Sequence, residues 1–497
     1  MKFKGPLADS YPGAVALVVF ALVPYLALST ALTPLTPMLS KSVGLSEASL
    51  QLTTGMANAA YAFGTVLAVQ LAVHLRGRRL LLLYALLFLI GSVLAAAAWT
   101  PGLFIAGRVM QGLCTSLMLI AAVPPLVIGW PVSKMRWTAG TMNLCIFGAV
   151  AIGPVIGGVQ AAAHTWRPLF WMIAGAGALA LLFAFLTFED QPPQDRSAPW
   201  DWVAQTLAGL GCAAAFFGAS ELEAHSFLSL IAFAPLLCGA AMIVALLIFE
   251  HSIARPLIPV RSLVSTLPLT GVLIAMCAGA ASVALVELAQ GALQGKLAPG
   301  HAAMLFWPEF GAAATTALGF ALILRTRLIP ALALAGLVAL SAGALVLTGV
   351  AGGSESLVAV GSGLVGLGVG ASVSPALFTA GFSLPSEQIQ RVFAVVELLR
   401  GVAAFMFAPI VLHLSKTVGS TPAAGIRDGV WLCFGVAAGG GLLAAYLYIL
   451  GRVRLRPPEL ESWLAEEGPA FHSPGLAAGI RGERPLAPLE REGSALA

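Results

Sequence analysis

The chain has 497 residues, of which 59% are apolar and only 10% charged, with a mean hydropathy of +0.93. A soluble domain carries about 25% charged residues, so the composition excludes one and points to an all-α polytopic membrane protein. The net charge of +4 is too small and too dispersed for a nucleic-acid partner.

Taken in chain order, the N-terminal stretch MKFKGPLADS is followed by an apolar run with no cleavage-type site, so that run is expected to be retained as a span. Runs of about 20 apolar residues, enough to cross roughly 30 Å of hydrocarbon, lie near 13–33, 49–73, 80–99, 101–129, 137–162 and 167–188. Two more lie near 200–220 and 226–249. The last set lies near 267–290, 301–324, 328–350, 354–381, 391–413 and 428–450. The expectation is fourteen transmembrane helices arranged 6+2+6. It divides the chain into a six-helix bundle (1–190), a two-helix insert with its linkers (191–262), a second six-helix bundle (263–451) and a tail (452–497).

Short cytoplasmic loops collect lysine and arginine. With the N-terminus inside, the inner loops hold Lys2, Lys4, Arg76, Arg78, Arg79, Lys134, Arg136, Arg196, Arg255, Arg261, Arg325, Arg327, Arg391, Arg452, Arg454 and Arg456. The outer loops hold Lys41, Arg167, Lys296, Lys416 and Arg427. This asymmetry puts both termini in the cytoplasm and favours an even number of spans. The tail, RVRLRPPELESWLAEEGPAFHSPG onward, is polar and contains proline and glycine. Its basic start belongs at the lipid headgroups, with Trp463 at the interface, and the remainder is expected to be disordered.

The six cysteines all fall in apolar runs without CxxC, and the seven histidines lack zinc-ligand spacing. No disulfide framework, metal or cofactor is therefore expected. GSGLVG (361–366) matches GxGxxG, but it lies inside an apolar span rather than between a strand and an aqueous helix start, so it reads as helix packing. No GxxxxGK[ST] occurs, so energy must come from an ion gradient, a substrate gradient or a partner. With no nucleophile–base pair or ligand cluster, an enzyme is not expected.

GPVIGG (153–158) puts three glycines and a proline, all poor helix formers, inside the fifth span. Gly153 and Gly157 form GxxxG, which lets a neighbouring helix approach closely. Pro154 removes an N–H, and an adjacent helix can satisfy the freed carbonyl. The motif is either a seal at a bundle seam or ordinary packing.

A charge at the bilayer centre costs roughly 2.5–3.5 kcal/mol on insertion scales, so each requires a reason. Arg108 lies well inside span four, with Gln111 on the same face at i+3. It either lines a cavity, binding substrate or tuning a proton site, or staples backbone carbonyls. Glu397 and Arg400, at i and i+3 in span thirteen, can form a pair, static or functional. Glu287 lies near the outer end of span nine, where it can reach water. Glu309, beside Pro308 in span ten, has no basic partner nearby in sequence, which suits a carboxyl that loads and unloads protons.

Several of these stretches resemble the major facilitator superfamily, specifically its fourteen-helix drug:proton antiporter branch. GRVMQG (107–112) looks like the R-x-x-Q-G signature, and GPVIGG looks like the antiporter signature G-P-x-x-G-G. TWRPLFW (165–171), RPLIPVRSL (255–263) and ELAQGALQGKLAPGHAAMLFWPEFG (287–311) are similar to further segments of that branch, in the same order and on the same spans. The resemblance implies a major facilitator fold working by rocking-bundle alternating access in the inner (plasma) membrane. The implied task is proton-coupled efflux of small amphiphilic compounds, with Gly153, Pro154, Gly157 and Gly158 as the gating motif. A substrate, protons and the bilayer are the implied partners, and a periplasmic adaptor is left open.

Two departures stand out. The loop motif G-x-L-x-D-R-x-G-R-R becomes QLAVHLRGRR here, with Gln70 and His74 in place of glycine and aspartate before Arg76, Gly77, Arg78 and Arg79. Span one lacks the branch's acid. Alternatives are a metabolite facilitator or importer without proton coupling, and a non-transporting receptor or scaffold.

Overall fold

The computed structural model describes residues 4–187, 189, 198–349, 354–454 and 456–476. Lys2, Arg196 and the last part of the tail lie outside the described residues. Every described element longer than a turn is helical. That is what a low-dielectric environment demands, because a helix satisfies its backbone groups within one segment.

The first half holds α1 (Tyr11–Ala31), α2 (Thr36–Val43), α3 (Glu47–His74), α4 (Gly77–Ala96) and α5 (Pro101–Ile128). It continues with α6 (Val132–Asn143), α7 (Ala149–Ala162) and α8 (Arg167–Thr187). α6 and α7 form one span joined by a π-helical turn, Leu144–Gly148. Such turns recur at functional sites. α9 (Trp202–Glu221) and α10 (Leu230–Ser252) make the insert. α9 packs on α3 and α17, whereas α10 packs mainly on α9 and turns Leu237 and Ile248 outward.

The second half begins with α11 (Val260–Leu263), α12 (Thr266–Leu293), α13 (Pro299–Met304), α14 (Trp307–Ile323) and α15 (Ile329–Leu347). It ends with α16 (Glu355–Phe382), α17 (Ile389–Thr417), α18 (Pro422–Leu450) and a short α19 (Leu460–Leu464). Among the described residues, thirteen spans are long and apolar enough to cross a membrane. The remaining expected span, 301–324, is broken: α13 ends at Met304 and α14 restarts at Trp307. Pro308 explains the break, since a proline removes an N–H and disfavours helix in the residue before it.

Helix ends alternate between two faces. On one face Tyr11 Oη bonds Thr138 Oγ1 (3.1 Å), Leu7 N donates to Leu186 O, and Gln390 Nε2 donates to Ile120 O (3.2 Å). These contacts bring together the starts of α1, α6 and α17 and the ends of α5 and α8. The basic loops around Arg76, Lys134 and Arg391 belong to this face. On the other, Arg167 donates to Ala96 O and Ala98 O, and Lys416 pairs with Glu223.

The tail departs from expectation. Residues 456–476 are folded against the basic face, and Trp463 is fully buried rather than resting in headgroups. The reason is local: Leu460, Trp463, Ala470 and Phe471 supply enough apolar surface to dock despite the polar composition around them.

Candidate functional site

The two halves meet along α3·α17, α7·α13, α6·α14 and α7·α14. GPVIGG lies on this seam. A side chain at Gly153 would collide with α1 at Thr30 and Ala27, and one at Gly157 with Ala31 at the end of α1 and Pro34 just beyond it. A Cβ at Gly158 would sit 2.5 Å from Ala303 Cβ and 2.9 Å from Pro299 O, across the seam on α13. Pro154 lacks the N–H that would bond Val150 O, and Thr30 Oγ1 of α1 donates to that carbonyl instead, at 2.7 Å. The neighbouring helix thus satisfies the group the proline frees.

Pro154 and Gly158 also wall a cavity of about 390 Å³ between the halves, with Thr33, Gln290, Gln294 and Phe306. No charged side chain lines it. Its size and apolar walls suit a small ligand, with the two glutamines as polar anchors.

A second cavity, about 30 Å³, lies deeper between the halves and holds room for a water or two. Thr30, Phe147, Ser282, Glu309 and Arg400 line it. Glu309 occupies the first turn of α14, is 3% exposed, and leaves Oε2 without a hydrogen-bond partner. Glycines on α16 admit this turn: a Cβ at Gly363 would press on Pro308, and one at Gly366 would strike the Glu309 carbonyl. GSGLVG is therefore helix packing, as read from the sequence. Glu309 has no basic neighbour along the chain, whereas the fold brings Arg400 to the same cavity.

Arg400 is held by its own helix. Its Nε donates to Glu397 Oε1 (3.2 Å) and Oε2 (3.1 Å), and Nη2 donates to Oε2 at 2.5 Å. Tyr61 of α3 donates to the same Oε2 at 3.2 Å, so the pair is anchored to the opposite half. The Arg400 guanidinium also lies 5.9 Å from the Phe147 ring centroid, at the π turn.

Arg108 belongs to the same polar chain by a route the sequence did not reveal. Its guanidinium lies 5.2 Å from the Tyr25 ring, and Tyr25 stacks on Tyr61 at 6.0 Å. Its Nη1 donates to Gln111 Oε1 (2.9 Å), and Gln111 Nε2 donates to Ser92 Oγ (3.0 Å). Nε and Nη2 have no hydrogen-bond partner, so the backbone-staple arrangement is not the one present. Arg108 lines neither cavity described above. Glu287 of α12 is half-buried with no hydrogen bond or ion pair among the described residues, and it joins none of these groups.

The profile of the Major Facilitator Superfamily matches residues 18–406. The chain belongs to the Major Facilitator Superfamily. Among its curated relatives, an uncharacterized MFS-type transporter of Bacillus subtilis, YubD, is 27% identical over 273 residues, 54% of this chain and 53% of that protein. The efflux pump notK of an Aspergillus species is 30% identical over 123 residues, 24% of this chain and 22% of the pump. The matches thus span about half of these relatives' length or less. Among solved structures, the human organic anion transporter MFSD10 (TETRAN) superposes with a TM-score of 0.60 at 16% identity, over 88% of this chain and 99% of that one. The POT family transporter PepTSo gives 0.61 at 13% identity, over 89% and 99%. At such identities the likeness is one of fold.

Within this Major Facilitator chain, the two departures in the loop motif have a structural use. His74 Nε2 lies 2.9 Å from Ala198 O, and its ring stacks on Trp200 at 4.8 Å. Gln70 Oε1 accepts from Asp201 N (3.3 Å). Together they pin the segment that enters α9. Gly77 opens α4, Arg76 and Arg79 are exposed, and Arg78 lies over the Phe185 ring at 5.4 Å. Among the described residues no group of three or more His, Cys, Asp or Glu is placed to hold a metal.

Proposed function

We propose that this chain is a secondary transporter of the fourteen-helix drug:proton antiporter branch, exporting small amphiphilic compounds in exchange for protons. The observation that carries the reading is Glu309: a buried carboxyl with an unpartnered oxygen, facing a small cavity between two halves that must move apart. A carboxyl reached by water from one side at a time takes up protons on the more acidic side and releases them on the other. The uncharged 390 Å³ cavity is the substrate's place, and α7, with Pro154 inside it, forms the wall shared by cavity and seam. Arg108, Gln111, Glu397 and Arg400 hold the halves' polar interior in register, and Glu287 remains a secondary proton candidate. Counting α13 and α14 as one broken span gives 6+2+6, with 1–190 and 263–451 as the rocking bundles and the basic face in the cytoplasm. Relatives named as efflux pumps support the direction.

A second reading, a facilitator without proton coupling, is favoured by one observation: α1 contains no acidic residue. Purified protein in vesicles separates the two. Under an imposed pH gradient, uphill movement of an amphiphilic dye, abolished by a protonophore, supports exchange. Downhill movement indifferent to the gradient makes the facilitator reading correct.

A further inference from the structure

The folded tail makes contacts that a passive segment would not need. The last carbonyls and first N–H groups of any helix lack partners within it. At the end of α16, Phe471 N donates to Phe382 O (3.0 Å), and just beyond it Trp463 Nε1 donates to Leu384 O (2.8 Å). The Trp463 ring meets Phe382 edge-on at 4.9 Å, and nothing of Trp463 is exposed.

At the start of α12, the side chain of the N-cap residue Ser265 donates back to Ser262 O (3.4 Å) and makes no capping hydrogen bond to the helix. The tail supplies the cap instead. Thr266 N and Leu267 N donate to Pro474 O (3.0 Å) and Ser473 Oγ (2.9 Å), and the Thr266 hydroxyl donates to Pro474 O (2.8 Å). The third contact crosses the molecule: α19 touches α6, which belongs to the first half. One short segment therefore binds two helix ends of the second half and reaches the first.

We propose that residues 459–475 form a latch that holds the basic face closed, so that this face opens only when the latch lets go. The inference rests on the alternating-access reading above. α6 and α14 pack on each other at that face, where Gly140 meets Ala321. Opening there separates α6 from the second half, and the α19–α6 contact resists that separation.

The test is cysteine labelling at the two seams, in full-length chains otherwise free of cysteine. Ala321→Cys reports the seam at the basic face, and Ala303→Cys reports the seam against Gly158 at the other. Both alanines are buried, at 3% exposure. Added Trp463→Ala should speed maleimide labelling of Ala321→Cys at least fivefold while leaving or slowing that of Ala303→Cys. Ser473→Ala, which removes one cap and keeps the tryptophan, should act in the same direction by a smaller factor if Trp463→Ala proves unstable. Equal acceleration at both seams would mean general loosening and overturn the latch, as would no change at either. If neither seam labels even with the tail intact, the alternating-access reading itself fails and the latch with it.

Discussion

Thr30 and Pro154 offer a sharp test of the packing argument, because the structure assigns them one shared carbonyl. Thr30→Val keeps the side chain's shape and removes the 2.7 Å hydrogen bond to Val150 O. Hydrogen bonds between membrane helices average about 0.6 kcal/mol and reach about 1.7, while a buried acceptor left unsatisfied costs about 1–3 kcal/mol. The carbonyl has no helical N–H to fall back on, so the upper part of the membrane range applies, and a loss of about 1–1.5 kcal/mol is expected. Pro154→Ala returns an N–H at position 154, which can bond Val150 O within α7. In that background Thr30→Val should cost less than half as much, giving a coupling of about 1 kcal/mol. Equilibrium unfolding in mixed micelles, run as a double-mutant cycle, measures it. Equal costs in both backgrounds would refute the claim that Thr30 serves the carbonyl freed by the proline.

Three further outcomes follow from named contacts. Gly158→Leu should insert with normal yield yet reduce transport at least tenfold, because its side chain meets Ala303 and Pro299 and intrudes on the 390 Å³ cavity; transport assays in vesicles read this directly. His74→Ala removes the Ala198 contact and the Trp200 stack, so limited proteolysis should cut around residues 198–201 several-fold faster. Topology reporters fused after Ser226 and after Arg452 should report outside and inside respectively; the reverse would invert the assignment of faces.

How far the sequence anticipated this depends on what each signal encodes. Span positions were legible because hydrophobic length and loop charge are local properties. The close approach at Gly153 and Gly157 and the satisfied carbonyl below Pro154 were legible for the same reason: missing atoms announce what a neighbour must supply. The break between α13 and α14 was signalled by Pro308 but hidden by the apolar run around it. Tyr25 and Tyr61 gave no sign of linking Arg108 to Glu397, because an aromatic residue in an apolar span does not declare its facing. The π turn at Leu144–Gly148 likewise has no composition cue. Residues 456–476 were misread because average polarity concealed three well-spaced anchors, Leu460, Trp463 and Phe471, the last two bonding Leu384 and Phe382 at the end of α16, far away in sequence. Arg400 and Glu309 come to line one cavity only through the fold, since 91 positions separate them (400 − 309).

The most direct measurement is proton-driven uphill transport by Glu309→Gln, set beside Glu397→Gln and the unaltered chain in the same vesicles. Glu309→Gln keeps the side chain's size and removes its titration, so uphill accumulation should be lost while substrate binding and passive exchange persist. Full coupling in Glu309→Gln would contradict the account, and its loss in Glu397→Gln alone would move the proton to the pair on α17.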